Sequence, residues 1–160
     1  MKHRIENIQG KKFIGCHATM SLARNTTADL WRSFMPRREE ILNPVGSNLY
    51  SMQVYAPKYF ERFNPETEFE KWALTEVSSF EHLPAGMVSM SISGGLYAVF
   101  EHKGPASKGA ESFGYIFGTW LPGSGYELDN RPHFEVLGDL YKNDDPGSEE
   151  EIWIPVRIKD

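Results

Sequence analysis

A single cysteine, Cys16, in 160 residues excludes an intrachain disulfide. Long apolar runs are missing too, as is an N-terminal stretch of signal-peptide type, so the cytoplasm is the expected location and no membrane contact is expected. Basic clusters stop at Arg37-Arg38 and the formal net charge is -5, which removes the electrostatic footprint of a nucleic-acid binder. The five histidines, His3, His17, His82, His102 and His133, are scattered without an H-x-x-x-H spacing or a paired cysteine, so neither a metal site nor a cofactor is expected. Gly94-Gly95 and Gly123-Ser124-Gly125 lack the lysine of a phosphate loop and read as turns. Cys16 and His17 are neighbours on an expected strand, where they would point to opposite faces, so they make no thiol and base pair.

Aromatic side chains, by contrast, are plentiful: four Trp, seven Tyr and ten Phe, more than a minimal core requires. A core rich in rings and an aromatic-lined cavity are both open uses for them. A chain of this length fits one domain, able to bury roughly 70% of its unfolded surface.

The chain also contains a weak copy of itself. Leu30-Trp31-Arg32-Ser33-Phe34-Met35-Pro36 is echoed by Ile116-Phe117-Gly118-Thr119-Trp120-Leu121-Pro122, Met52-Gln53-Val54 by Phe134-Glu135-Val136, and Glu70 with Trp72 by Glu151 with Trp153. Three echoes in one order point to a duplicated unit, with pseudo-repeats over about 1–80 and 81–160 in a single domain. The seam between two related halves is a natural place for a ligand pocket.

Residues 4–22 read as extended, anchored by Ile5, Ile8, Phe13 and Ile14. Thr26 or Thr27 caps a helix that sets Leu30, Trp31 and Phe34 on one side, and Pro36 ends it or opens a separate piece over 37–42. Asn43 to Ser47 is a turn cluster, residues 49–56 and 69–78 are strands, and a loop lies between them. In the second half, 87–92 and 96–102 are strands flanking a bend at Gly94-Gly95. Phe113, Ile116, Phe117 and Trp120 fall at i, i+3, i+4 and i+7 of a helix whose glycines, Gly109, Gly114 and Gly118, are explained by close packing on a sheet. Strands over 134–140 and 151–158, parted by an acidic turn at Asn143 to Gly147, complete the set.

Four runs in the second half are more specific: Gly95 to Pro105 (GLYAVFEHKGP), Trp120 to Tyr126 (WLPGSGY), Arg131 to Val136 (RPHFEV) and Glu151 to Val156 (EIWIPV). In this order they resemble the GyrI-like small-molecule-binding family, which includes the effector-binding domains of AraC-type and MerR-type multidrug regulators. The resemblance is strong over 95–156 and weaker, in consistent order, over 11–78. It implies an α+β fold of duplicated β-α-β-β units forming a curved antiparallel sheet with two helices, and a ligand cleft at the pseudo-twofold. It further implies hydrophobic, often cationic ligands held by aromatic walls and a buried glutamate on a late strand, the position of Glu151. With no DNA-binding helices flanking the domain, a standalone module is expected that senses or sequesters a lipophilic cation, linked to transcription through a separate regulator.

The chemistry of such a cleft can be drawn from alternation. On a strand, Glu151 and Trp153 share one face while Ile152, Ile154 and Val156 take the other, toward the helices. Trp72 and Glu70 would repeat the arrangement. An aromatic face attracts a cation by about 0.5–2 kcal/mol, and a carboxylate in a dry cleft supplies the countercharge. Without a ligand such a carboxylate must be hydrated, hydrogen-bonded or protonated. The alternative for Glu149 to Glu151 is a solvated acidic entry to a strand. Tyr50, Met52, Tyr55, Tyr97 and Phe134 are the remaining candidates for the wall, each equally suited to core packing. Glu135 points away from Phe134 and is expected to be structural, bonded to Arg131 or to a turn. A second function class is a hydrolase in the same cleft, with Glu151 as base and Tyr97 or Tyr50 positioning the substrate; a third, which the family resemblance suggests, is inhibition of a protein partner such as DNA gyrase.

Overall fold

Alternating strands with apolar residues on both faces build a nine-stranded antiparallel sheet with helices on one side. The computed structural model describes residues 1–143 and 145–160; Asp144, in the expected acidic turn, lies outside them. In chain order the elements are β1 (His3–Ile8), β2 (Lys11–Met20), α1 (Thr27–Phe34), β3 (Pro44–Val54), β4 (Phe69–Val77), β5 (Val88–Ile92), β6 (Gly95–Lys103), α2 (Gly109–Tyr115), α3 (Leu121–Gly123), β7 (Tyr126–Leu128), β8 (His133–Leu137) and β9 (Glu149–Ile158). The strand order is β1-β6-β9-β8-β3-β4-β2-β5, with β7 paired to β9.

Each half contributes one three-stranded block, β2-β4-β3 and β6-β9-β8, and the blocks join where β3 pairs with β8. Met52 lies directly opposite Phe134 in that ladder. These two residues correspond in the sequence echo, so the pseudo-twofold axis passes between them. The outer strands are exchanged: β1 pairs with β6 of the second half and β5 with β2 of the first. Both pairings keep one register, Ile8 opposite Gly95 and Lys11 opposite Ile92. The chain therefore runs as one long ribbon past Gly10 and Gly94. A Cβ on Gly94 would overlap the Ile8 carbonyl oxygen, and one on Gly10 would sit 3.0 Å from that of Ile92. Glycine is what lets the strands cross here.

On the helix-free face, Phe13, Tyr50, Met52, Trp72, Leu74, Tyr97, Val99, Phe134 and Trp153 form one buried cluster drawn from β2 to β9. Contact across so many strands requires the sheet to curl toward this face. On the other face, α1 covers Ile14, Ala73 and Val77 through Leu30 and Phe34, while the α2 region covers Ala98, Phe100, Ile152 and Ile154 through Ile116. The helices thus sit over the two lateral blocks and leave the central strands between them less covered.

Two local expectations are corrected and one is sharpened. The turn cluster at Asn43 to Ser47 is strand from Pro44 onward, with an irregular register between Pro44 and Leu49; a proline at a first strand position loses no ladder bond. The separate short piece expected to open at Pro36 is present as a 3-10 turn, Met35–Glu40, which runs on directly from α1 and ends two residues before the expected bound. The second helix is α-helical only to Tyr115 and then widens into a π-helical turn, Ile116–Trp120. Its glycines are not there for close packing, because a Cβ on Gly114 or Gly118 would meet nothing within 4 Å.

Candidate functional site

The uncovered centre of the helix-side face is where odd-numbered residues of β3, β4 and β8 emerge. Strand alternation brings Gln53, Lys71 and Glu135 up together, with Phe69 beside them. They form the floor of a cavity of about 740 Å³ between the start of α1 and the inner face of α2. Ala110, Phe113, Gly114 and Phe117 of the α2 region form one wall, and Leu22, Asn25 and Thr27 stand at the other. Tyr55, Tyr59, Phe60 and Phe63, from the segment between β3 and β4, close over the top. Phe60 stacks on Phe117 at 5.3 Å and on His133 at 5.4 Å, while Tyr55 packs against Tyr59, Phe60, Phe69 and His133. Phe63 remains 78% exposed at the rim.

The floor is charged. Gln53 Nε2 donates to Glu135 Oε2 at 3.2 Å, and Lys71 Nζ stands 3.9 Å from the same oxygen, with side-chain exposures of only 10% for Lys71 and 12% for Glu135. Burial, followed by the nearby charge of Glu135, lifts Glu150 to about 7, against a smaller opposing effect of Lys71. Burial alone lowers His133 to about 3, so this ring is neutral at physiological pH. Tyr55 is raised well above the usual phenol range, first by burial and then by Glu135.

Of the residues expected from sequence, Tyr55 is the one whose side chain belongs to this aromatic cavity. Tyr50, Met52, Trp72, Tyr97, Phe134 and Trp153 come together on the opposite face, packed on one another: Phe134 stacks on Trp153 at 5.2 Å, and Tyr97 lies 5.2 Å from Phe134. The Tyr97 hydroxyl donates to the Pro132 carbonyl at 2.9 Å and that of Tyr50 to Glu76 at 3.1 Å, so neither is directed at Glu151. Tyr97 is pushed up to about 12, chiefly by burial.

Glu151 is not a buried, waiting countercharge. Its carboxylate accepts from Arg4 at 2.9 Å and from Trp153 Nε1 at 3.1 Å, and Arg4 lies 5.8 Å from the centre of the Trp153 ring. The glutamate and tryptophan do hold a cation between them, but it is the chain's own arginine. In the duplicate the corresponding place is taken by an imidazole: His17 stacks on Trp72 at 4.3 Å and contacts Glu70 at 3.1 Å. The alternation expected for β9 is correct, and it is what carries Glu151 away from the helix-side cavity. Glu135, expected to bond Arg131 or a backbone turn, faces Gln53 and Lys71 instead, and Arg131 is bound by Asp129 at 2.7 Å. Its parity against Phe134 and the density of rings over residues 55–69 were the available signals.

A sequence profile for integron-associated effector binding proteins matches residues 4–156. The chain belongs to that family. It is an effector-binding domain of the GyrI-like class, with the α+β fold that the resemblance implied. The transcriptional regulator BrlR of Pseudomonas aeruginosa is 31% identical over 157 residues, which are 98% of this chain and 56% of the regulator. The chain thus spans about half the length of that relative. Among solved structures, the integron cassette protein VCH_CASS2 of Vibrio cholerae superposes with a TM-score of 0.71 at 17% identity, covering 97% of this chain and 95% of the other. SAV2435, solved bound to tetraphenylphosphonium, gives 0.68 at 14% identity over 98% and 94%. Among the described residues, no helix is long and apolar enough to cross a membrane, and no group of His, Cys, Asp and Glu is arranged to hold a metal ion.

Proposed function

We propose that this domain takes up a lipophilic, positively charged aromatic molecule in the cavity between its two helices and serves to sense or sequester it in a circuit that ends in transcription regulation. The observation that carries the reading is the placement of one recessed carboxylate, Glu135, beneath a ring-lined space of about 740 Å³. A space of that size suits a drug-sized ligand. Rings such as Tyr55, Phe69, Phe113 and Phe117 offer apolar area and cation–π attraction, and organic cations lose little hydration on entry. Regulation is supported by the family and by the BrlR relative, and the ligand class by the phosphonium held by SAV2435.

The test is calorimetric titration of the wild type and Gly114→Trp with tetraphenylphosphonium. Gly114 faces open space, so the indole has room to fold in and fills the cavity. Saturable binding by the wild type, weakened at least about 10-fold in Gly114→Trp, is expected. Equal binding by both would place the ligand elsewhere.

A further inference from the structure

Lys71 is a costly residue to keep where it is. Its side chain is 10% exposed, it lines the cavity, and its one ion-pair partner among the described residues is Glu135, at the long distance of 3.9 Å. An ammonium carries three donors, and those of Lys71 open into the cavity: the enclosed side-chain atoms without a partner among the described residues are on Trp72 and Arg131, not on Lys71. Burying an ion pair is also a weak way to stabilise a fold. The second copy shows that the fold does not ask for this charge. Gln53 lies opposite Lys71 in the first half, and at the corresponding place in the second half Glu135 lies opposite Ile152. One position of the duplicated floor thus carries an ammonium in one copy and an isoleucine in the other. A receptor for simple cations would be better served by isoleucine in both, leaving Glu135 unpaired.

Resting on the cavity reading above, we infer that the ligand carries an acidic group as well as a basic one: an amphoteric aromatic molecule, whose anion answers the free donors of Lys71 while its cation meets Glu135. Oε2 of Glu135 is engaged by Gln53 and Lys71, and Oε1 is left for the incoming cation. The floor then reads two charges of opposite sign from two strands on either side of the pseudo-twofold axis, which gives discrimination among ligands more than raw affinity.

Two dyes with one ring system separate the possibilities: rhodamine 110, with a free carboxylate, and rhodamine 123, its cationic methyl ester. Fluorescence polarisation should show the wild type binding rhodamine 110 about 10-fold more tightly than rhodamine 123. Lys71→Met should erase that preference and tighten the ester several-fold, while Lys71→Arg, which keeps the charge, should retain it. Loss of both dyes in Gly114→Trp shows that they report on this cavity. Equal or weaker binding of rhodamine 110 by the wild type, with the ester still displaced by Gly114→Trp, overturns the inference and leaves the cavity reading standing. Failure of both dyes to bind the wild type brings down both readings.

Discussion

Two desolvated titratable side chains, the half-buried Glu150 and the buried His133, give the domain opposing pH responses. Glu150 is held near 7, so between about 4.5 and 7 the unfolded chain has released a proton that the folded chain keeps, and stability falls as pH rises through that window. Glu150→Gln should remove this slope and gain about 1–2 kcal/mol at pH 8, read from urea melts at pH 5 and 8. If the variant and wild type kept parallel pH profiles, the half-buried carboxylate would not be the cause. His133 works the other way. Its ring is held near 3 by burial, so below about 6.5 the unfolded chain binds a proton that the fold excludes, and stability is lost progressively as pH falls toward 3. His133→Gln should flatten the acid limb of the melting profile; a limb as steep as the wild type's would refute the assignment. The lesson of Glu151 belongs to this scale too. Alternation placed it correctly on its strand, but no pattern in the sequence reports that Arg4, 147 residues away, donates to its carboxylate.

At the level of elements, periodicity located both helices and most strands, but it read β1 and β2 as one extended stretch over 4–22 and missed what depends on partners. The short strand β7, Tyr126–Leu128, exists because β9 offers it an edge, and its three residues carry no alternation to read. The widened turn Ile116–Trp120 likewise lies within a stretch whose apolar spacing is ideal for an α-helix. It lets Phe117 reach the cavity while Trp120 packs on Phe100 at 5.0 Å. The glycines separate into two classes that the sequence cannot distinguish. Gly118 has open space where a Cβ would go, so Gly118→Ala should raise stability by up to about 1 kcal/mol in chemical denaturation. Gly94 has backbone there, and Gly94→Ala should cost more than about 2 kcal/mol, because the crossing ribbons must part to admit a methyl group. Similar midpoints for the two variants would contradict this account of the crossing.

For the whole molecule, the internal echo was the decisive reading. It predicted two related halves, and the ladder that sets Met52 against Phe134 is their meeting point. The candidate site was half legible: the sequence leads to an aromatic cleft with a carboxylate on the tryptophan face, whereas the ring-lined cavity over Glu135 that we propose as the site lies on the helix side of the sheet. The reason lies in how the curled sheet uses its two faces. Its inner face consumes six of the expected wall residues in packing, including Tyr97 and Met52 with no exposed surface, and the helices leave the gap on the outer one. A sequence pattern tells which residues share a face; which of two apolar faces stays open is settled by what covers each. In the function proposed above, Glu135 and not Glu151 is the countercharge. Calorimetric titration of tetraphenylphosphonium into Glu135→Gln and Glu151→Gln, side by side with the wild type, tests it most directly. A loss of about 10-fold or more is expected for Glu135→Gln and a change within about 2-fold for Glu151→Gln. The reverse pattern would return the ligand to the tryptophan face and contradict the account.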